Sequence, residues 1–481
     1  MNKKIIITTL ATSLLFIGCG EDLDNEGNHL PTTKITQQDK NVDIGTKIKL
    51  DSTAFDVDGD ALKFKWSFSS KPKGSKAFLS TSSKKNSSFN IDKEGKYIIK
   101  FVATDVVGAK ASDTVNFTAK KVGNVSNNCK NYIELSRSIT SDTTLNGCYK
   151  VTSNISVSNN ALLTIKAGTI LSFEDSTGIN ISSTGALKAV GSVAKPILFT
   201  GVQKTAGYWN GIRYQYSNNV KNELSYATIE YAGGNGYANL LLDSSEGSPS
   251  RVKLNTLTLK HSLTHGFWFD NDSIISSFKK ITSTKNKLTA GLLYANALKA
   301  LDTASKFKGN LGDDYITVKG STLSKNSTWK ALSVPLYIAG SLHIDSTLNI
   351  EEGSKLIFES QTGLSVSSKG SLKAVGTKSK PILFTGVQKT AGYWNGIRYQ
   401  YSNNVKNELS YVTIEYAGGN GYANLLLDST ENRPSRITVK HSVFSNSSRY
   451  GIWLDDYSIT NNDIISANSF TNNSKGVIKN N

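Results

Sequence analysis

The stretch Lys195–Ser244, KPILFTGVQKTAGYWNGIRYQYSNNVKNELSYATIEYAGGNGYANLLLDS, recurs at Lys380–Ser429 with one change, Ala227 to Val412. Weaker similarity extends the copy on both sides at the same offset. Upstream, Leu163–Phe173 (LTIKAGTILSF) answers Leu348–Phe358 (LNIEEGSKLIF). Downstream, Gly266-Phe-Trp268-Phe-Asp270 answers Gly451-Ile-Trp453-Leu-Asp455. Between Gly, Asn and Ser turns run short apolar strands such as Ile170-Leu-Ser-Phe173, Ile197-Leu-Phe199 and Ala227-Thr-Ile-Glu-Tyr231, with no helix-period segment of useful length. Strands this dense, without helical crossovers and duplicated at long range, predict a solenoid with coils of roughly 20 residues. One superhelix from 122 to 481 is expected to contain both copies, about 163–270 and 348–455.

Composition sets the class. Hydrophobic residues make up 38% of the 481, enough for a sizeable core, and Gly 39 with Met 1 suits a turn-rich β protein. Lys+Arg 55 against Asp+Glu 38 gives a net charge of +17. The excess is dispersed, so two readings stand: a solvated basic surface, or long-range attraction to a polyanion such as an acidic glycan. No nucleic-acid partner is expected, because no basic motif or recognition module accompanies the charge. A monomer is expected.

Met1–Gly18 has two lysines, a mostly apolar run Ile5–Ile17 and then Gly18-Cys19. The run is too short to stay as a membrane span and reads as a signal peptide. Leu15-Phe16-Ile17-Gly18-Cys19 resembles a bacterial lipobox, with Phe16 where Leu is commoner. The resemblance implies lipidation of Cys19, membrane attachment through acyl chains and outer-membrane, cell-surface residence in a diderm bacterium. Residues 19–30 read as a tether. With Cys19 assigned, Cys129 and Cys148 remain as an even pair, expected as a disulfide in an exported protein; the alternative is two buried thiols.

From 31 to 121 the pattern becomes alternating strands, among them Thr46-Lys-Ile48-Lys-Leu50, Leu62-Lys-Phe64-Lys-Trp66-Ser-Phe68 and Tyr97-Ile-Ile-Lys-Phe101. About seven such strands in roughly 90 residues, one carrying a tryptophan, predict an immunoglobulin-like β-sandwich. Asp56-Val-Asp58-Gly-Asp60, Lys71-Pro72-Lys-Gly74, Asp92-Lys-Glu-Gly95-Lys-Tyr97 and Asp105 resemble a PKD-type domain, which implies a spacer or carbohydrate-contacting module. Asp56, Asp58 and Asp60 alternate and are candidates for a Ca²⁺ ion, weighed against solvated turn aspartates.

In the solenoid, LTIKAGTILSF, GALKAVG, KPILFTG, GYWNGIRY and LSYATIEYAGG resemble the pectin-lyase-like superfamily. That resemblance implies an all-β, right-handed parallel β-helix and says little of activity. In Gly211–Tyr216, Ile212, Tyr214 and Tyr216 share one face and Arg213 and Gln215 the other. In Ser225–Tyr231, Tyr226, Thr228 and Glu230 are expected to point outward, so that Arg213 and Glu230 pair across the surface. The sharper reading is a sugar-binding stripe of Arg213, Tyr226 and Glu230, repeated as Arg398, Tyr411 and Glu415. The blander one is a surface ion pair worth about 0–1 kcal/mol. Trp209, Trp394, Trp268 and Trp453 read as packing residues.

For a polysaccharide lyase or glycoside hydrolase, the nearest carboxylate pairs are Asp270 with Asp272 and Asp455 with Asp456. The superfamily's Asn-Thr-Asp, Gly-His-Gly and Trp-Ile-Asp-His runs are missing, and Arg436-Ile-Thr stops short of Arg-Ile-Lys. The histidines are scattered, and no nucleophile elbow or phosphate loop occurs. The expectation is a surface lipoprotein that binds polysaccharide or mediates adhesion. A glycan-degrading enzyme and a structural spacer are the alternatives.

Overall fold

A computed structural model describes residues 28–43, 46–120, 129 and 131–480. The signal segment and Cys19 lie outside them. The described residues fall into two compact units, one within 1–124 and the other within 125–481.

The first unit is a two-sheet sandwich. Strands β1 (Thr32–Ile35), β3 (Lys47–Phe55) and β5 (Asn86–Asn90) make one antiparallel sheet. Strands β2 (Lys40–Asp43), β7 (Lys110–Lys120), β6 (Gly95–Thr104) and β4 (Lys63–Ser70) make the other, β2 running parallel to β7. Alternation does the sorting: along β6, Tyr97, Ile99, Phe101 and Ala103 are buried while the residues between them are not. Trp66 packs 4.5 Å from Phe101, and its indole N–H donates to Lys84 O at 2.9 Å.

The second unit is a parallel β-helix in which a typical coil contributes three strands, as in 170–173, 178–181 and 186–190, while the coil after Gly291–Leu293 carries the 3-10 turn Ala295–Ala300 in place of a strand. Each strand pairs in parallel with the one a full coil away. Thus Ile170 faces Leu198, Ile179 faces Ile212 and Lys188 faces Glu223. Coils are longer than expected in places. The step from Val318 to its stacking partner Ile338 matches the expected length, whereas the step from Ile181 to Tyr214 is more than half as long again. The extra residues sit in turns between strands. One inward column, Ile181, Tyr214, Leu242, Phe269, Leu293, Val318, Ile338 and Phe358, is sealed from solvent throughout. Burying such a column drives coil stacking, since no coil can hide it alone. Buried asparagines bond along the stack, Asn286 Nδ2 reaching Asn310 Oδ1 at 2.9 Å. Cys129 and Cys148 form a disulfide.

The two copies repeat each other locally. Trp209 stacks on Phe173 at 3.9 Å and Trp394 on Phe358 at 4.1 Å, both indoles fully buried. Their placement in the solenoid differs. Phe173 belongs to the face formed by 170–173, 197–201 and 227–230, whereas the inward column on the neighbouring face, from Ile181 through Tyr214 and Leu242, leads to Phe358 itself. The second copy is therefore turned by one face, because the chain between equivalent positions does not make a whole number of coils.

Candidate functional site

Ile212 and Tyr214 fill the core, so Arg213 and Gln215 between and beyond them face out. The outward line through Arg213 runs Asn180, Arg213, Leu241, Trp268, Leu292, Thr317 and Tyr337, one residue per coil. Gly211, two residues before Arg213, has φ +108, and a Cβ there would lie 2.5 Å from Ala238 O. The strand thus begins where only glycine fits.

Arg213 Nε donates to Asp243 Oδ2 at 2.8 Å, with Nη2 on the same oxygen, and its guanidinium lies 5.3 Å from the Tyr237 ring centre. Tyr237 is delivered by the short turn Gly234–Gly236, entered through Gly233 at φ 94 and bent at Asn235 at φ 52. The second copy rebuilds the trio: Arg398 Nε to Asp428 Oδ2 at 2.6 Å, Arg398 Nη1 to Tyr422 OH at 3.1 Å, and the guanidinium 5.1 Å from the ring. Side-chain exposure of 28% for Arg213 and 32% for Arg398 leaves both groups within reach of a ligand. Beside Arg213 lies a cleft of about 310 Å³ lined by Ser156, Asn180, Asn210, Asn235 and Tyr237 among others. Asn180 and Asn210 give their amide N–H groups to Gln215 Oε1 (2.9 Å) and Ser176 O (2.7 Å), while their carbonyl oxygens are buried without a partner.

Next along the face, the Trp268 indole N–H donates to Asp270 Oδ1 at 3.0 Å, and Lys319 stands 5.2 Å over its ring. Trp453 carries Lys479 at 3.7 Å in the same way. Burial, with Asp243 close by, pushes the Asp270 carboxyl above the usual carboxylate range against its bonds from Ser244 N and Trp268. Burial also raises Asp428, opposed by Arg398. Since Leu242 pairs with Phe269, the next residues, Asp243 and Asp270, sit one coil apart, about 4.8 Å along the axis.

Several expected groupings are not formed. Glu230 does not pair with Arg213. It stands on the strand flanked by 197–201 and 251–260, on another face, and accepts from Thr200 Oγ1 (2.8 Å) and Lys260 Nζ (3.0 Å). Glu415 likewise takes Thr385 Oγ1 at 2.8 Å. Tyr226 and Tyr411, both at φ 49, mark the corner where their chain passes from one face to the next, and Tyr411 stacks on His441. Of the predicted stripe, Arg213 and Arg398 face outward on matching strands, whereas Glu230 and Glu415 point outward on a different face from the arginine of their own copy and Tyr226 and Tyr411 stand at corners, so the stripe is not assembled. Trp209 and Trp394 are packing residues as expected, but Trp268 and Trp453 face outward, because the phenylalanines flanking Trp268 fill the core. Asp272 meets Lys325 at 3.5 Å rather than Asp270, and Asp456 is exposed. Sequence order does not single out Asp243, Asp428, Tyr237 or Tyr422 as site residues; only the spacing from Arg213 to Asp243, close to one coil, hints at them.

In the sandwich, Asp58 accepts from His29 N at 2.8 Å, and Asp105 Oδ1 accepts the amides of Val107, Gly108 and Ala109. Asp56 Oδ1 takes the Asp58 amide at 2.9 Å, and burial and the neighbouring aspartates raise the Asp60 carboxyl. Among the described residues no three His, Cys, Asp or Glu side chains are placed to share a metal ion, so Asp56, Asp58 and Asp60 are not brought together as calcium ligands. Nor is any described helix long and apolar enough to cross a membrane.

Residues 36–119 match the family described as K319L-like, PKD domain, and residues 137–238 match the pectate-lyase like beta helix domain. The chain therefore carries a PKD-like domain followed by a pectate-lyase-like β-helix, and the second match takes in Arg213 and Tyr237. No curated protein matches. The solution structure of the PKD domain from KIAA 1837 protein is 16% identical over 18% of this chain and 82% of that one, with a TM-score of 0.15.

Proposed function

We propose that the β-helix binds polysaccharide on the outward faces bearing Arg213 and Arg398, in a protein held at the outer-membrane surface by a lipidated Cys19 and serving adhesion. The observation that carries the reading is the repeated trio of arginine, aspartate and tyrosine, followed two coils beyond the arginine by an outward tryptophan. An Arg–Asp pair presents donors and an acceptor side by side, which suits vicinal sugar hydroxyls, and aromatic faces suit the C–H side of a sugar ring. The net charge of +17 favours an acidic chain by raising its local concentration. Passing the protein over immobilised acidic and neutral polysaccharides tests this. Retention on at least one, lost in the Arg213→Ala/Arg398→Ala double variant, is expected; equal retention of that variant would sink the assignment of the site. Lipidation is tested by mass spectrometry of the N-terminal peptide, which should carry acyl chains on Cys19.

One observation favours hydrolysis as a second reading. Asp243 and Asp270 stand on adjacent coils with their carboxyl groups in contact, and burial together with Asp243 holds Asp270 toward its protonated form, the state a general acid needs. Release of reducing ends, abolished by Asp270→Asn, is the outcome that would establish it.

A further inference from the structure

The one-face turn of the second copy bears on what the duplication achieves. From Arg213 the outward line passes Leu241, Trp268, Leu292, Thr317, Tyr337 and Ile357 and reaches Thr385, seven coils away. It continues over Glu415, Ser445 and Thr471 and never meets Arg398. Arg398 follows Thr385 in the same coil but on the next face, in its own line of His343, Ser365, Arg398, Leu426, Trp453 and Lys479. Seven steps of about 4.8 Å separate the two arginines by roughly 34 Å along the axis. A stiff chain lying along the first site would have to wind around an edge of the solenoid to enter the second. The groups under its straight path past Thr385 are Thr385 and Glu415, already bonded to each other at 2.8 Å.

We infer that the protein is a cross-linker of two separate polysaccharide chains, one on each face, and not a bivalent clamp on one. This rests on the polysaccharide reading above and adds the geometry of engagement. A clamp would gain affinity as the ligand lengthens enough to span both sites, commonly about 10²-fold or more. A cross-linker gains nothing from that length and instead bridges particles.

The test uses two colours of beads coated with the retaining polysaccharide, the purified protein with Cys19→Ala, and light scattering to establish that it is a monomer. Co-aggregation of the colours by the parent protein is expected. Arg213→Ala and Arg398→Ala should each still be retained on beads yet lose at least tenfold in co-aggregation, while Arg251→Ala, an arginine outside both sites, should behave as the parent. Tyr237→Ala and Tyr422→Ala repeat the comparison should an arginine variant fold poorly. Affinity for oligosaccharides should stay flat as they lengthen past the separation of the two arginines. Co-aggregation at the parent level by either single-site variant, or a large affinity gain with length, overturns cross-linking while leaving binding intact. No retention of the parent protein overturns the polysaccharide reading itself.

Discussion

Tyr214 and Tyr399, at matching places in the two copies, are fully buried, and each hydroxyl lacks a hydrogen-bond partner. A buried hydroxyl left unpaired costs about 1–3 kcal/mol in desolvation. Replacing Tyr by Phe removes that cost and gives up a few oxygen contacts of about 0.1–0.2 kcal/mol each. The expected result is stabilisation by roughly 1 kcal/mol at each site. The sites lie many coils apart, so the two gains should add. Tyr97 in the sandwich supplies the opposite case, since its hydroxyl donates to Asp92 Oδ1 at 2.8 Å and accepts from Lys93 N at 2.9 Å; Tyr97→Phe should destabilise that unit by about 1–2 kcal/mol. Burial pushes both solenoid phenols above the usual tyrosine range. A raised folded pKa contributes stability below the unfolded value near 10 that is lost as pH rises above it. The parent solenoid should therefore weaken above about pH 10, and the double Phe variant less so. Urea melts at neutral pH and just above the unfolded tyrosine value, followed by near-ultraviolet dichroism, read both effects. Loss of stability in Tyr214→Phe comparable to that of Tyr97→Phe would refute the reasoning.

Other perturbations follow from the same packing. His265, buried beside Thr289 Oγ1 at 2.8 Å with Lys319 near, has its pKa lowered to about 4. Its contribution is complete above the unfolded value near 6.5 and disappears as pH falls through about 4, so His265→Gln should flatten the acid loss of stability in melts between those limits. Gly211→Ala forces a side chain into a left-handed backbone and against Ala238 O; a loss of roughly 3 kcal/mol or more is expected in urea melts, with weakened polysaccharide retention. Replacing both Cys129 and Cys148 by Ser frees the loop they close, a sequence separation of 19, and should lower the solenoid's stability by roughly 3 kcal/mol in melts under non-reducing conditions.

The solenoid is legible because repetition and alternation are written in residue order: GIRYQ and ATIEY each announce an inward and an outward set. The site is less so. Pairing Arg213 with Glu230 assumes that strands successive in the chain are neighbours, but in a β-helix the neighbour lies one coil away, which is why Arg213 finds Asp243. Coil length is not constant, as the long step from Ile181 to Tyr214 and the short one from Val318 to Ile338 show. The lateral partners of Arg213, and the turn of the second copy by one face, therefore depend on turn lengths that no local pattern specifies. Trp268 misleads for a related reason. An apolar run Phe267-Trp268-Phe269 reads as core, yet a strand must send its middle residue outward.

The central claim is that each copy of the duplication presents one polysaccharide site. Isothermal titration of the protein with an oligosaccharide too short to reach from Arg213 to Arg398, taken from whichever polysaccharide retains it, tests this most directly. Two ligands per chain are predicted, falling to one in Arg213→Ala and in Arg398→Ala. A stoichiometry unchanged by either substitution would contradict the account.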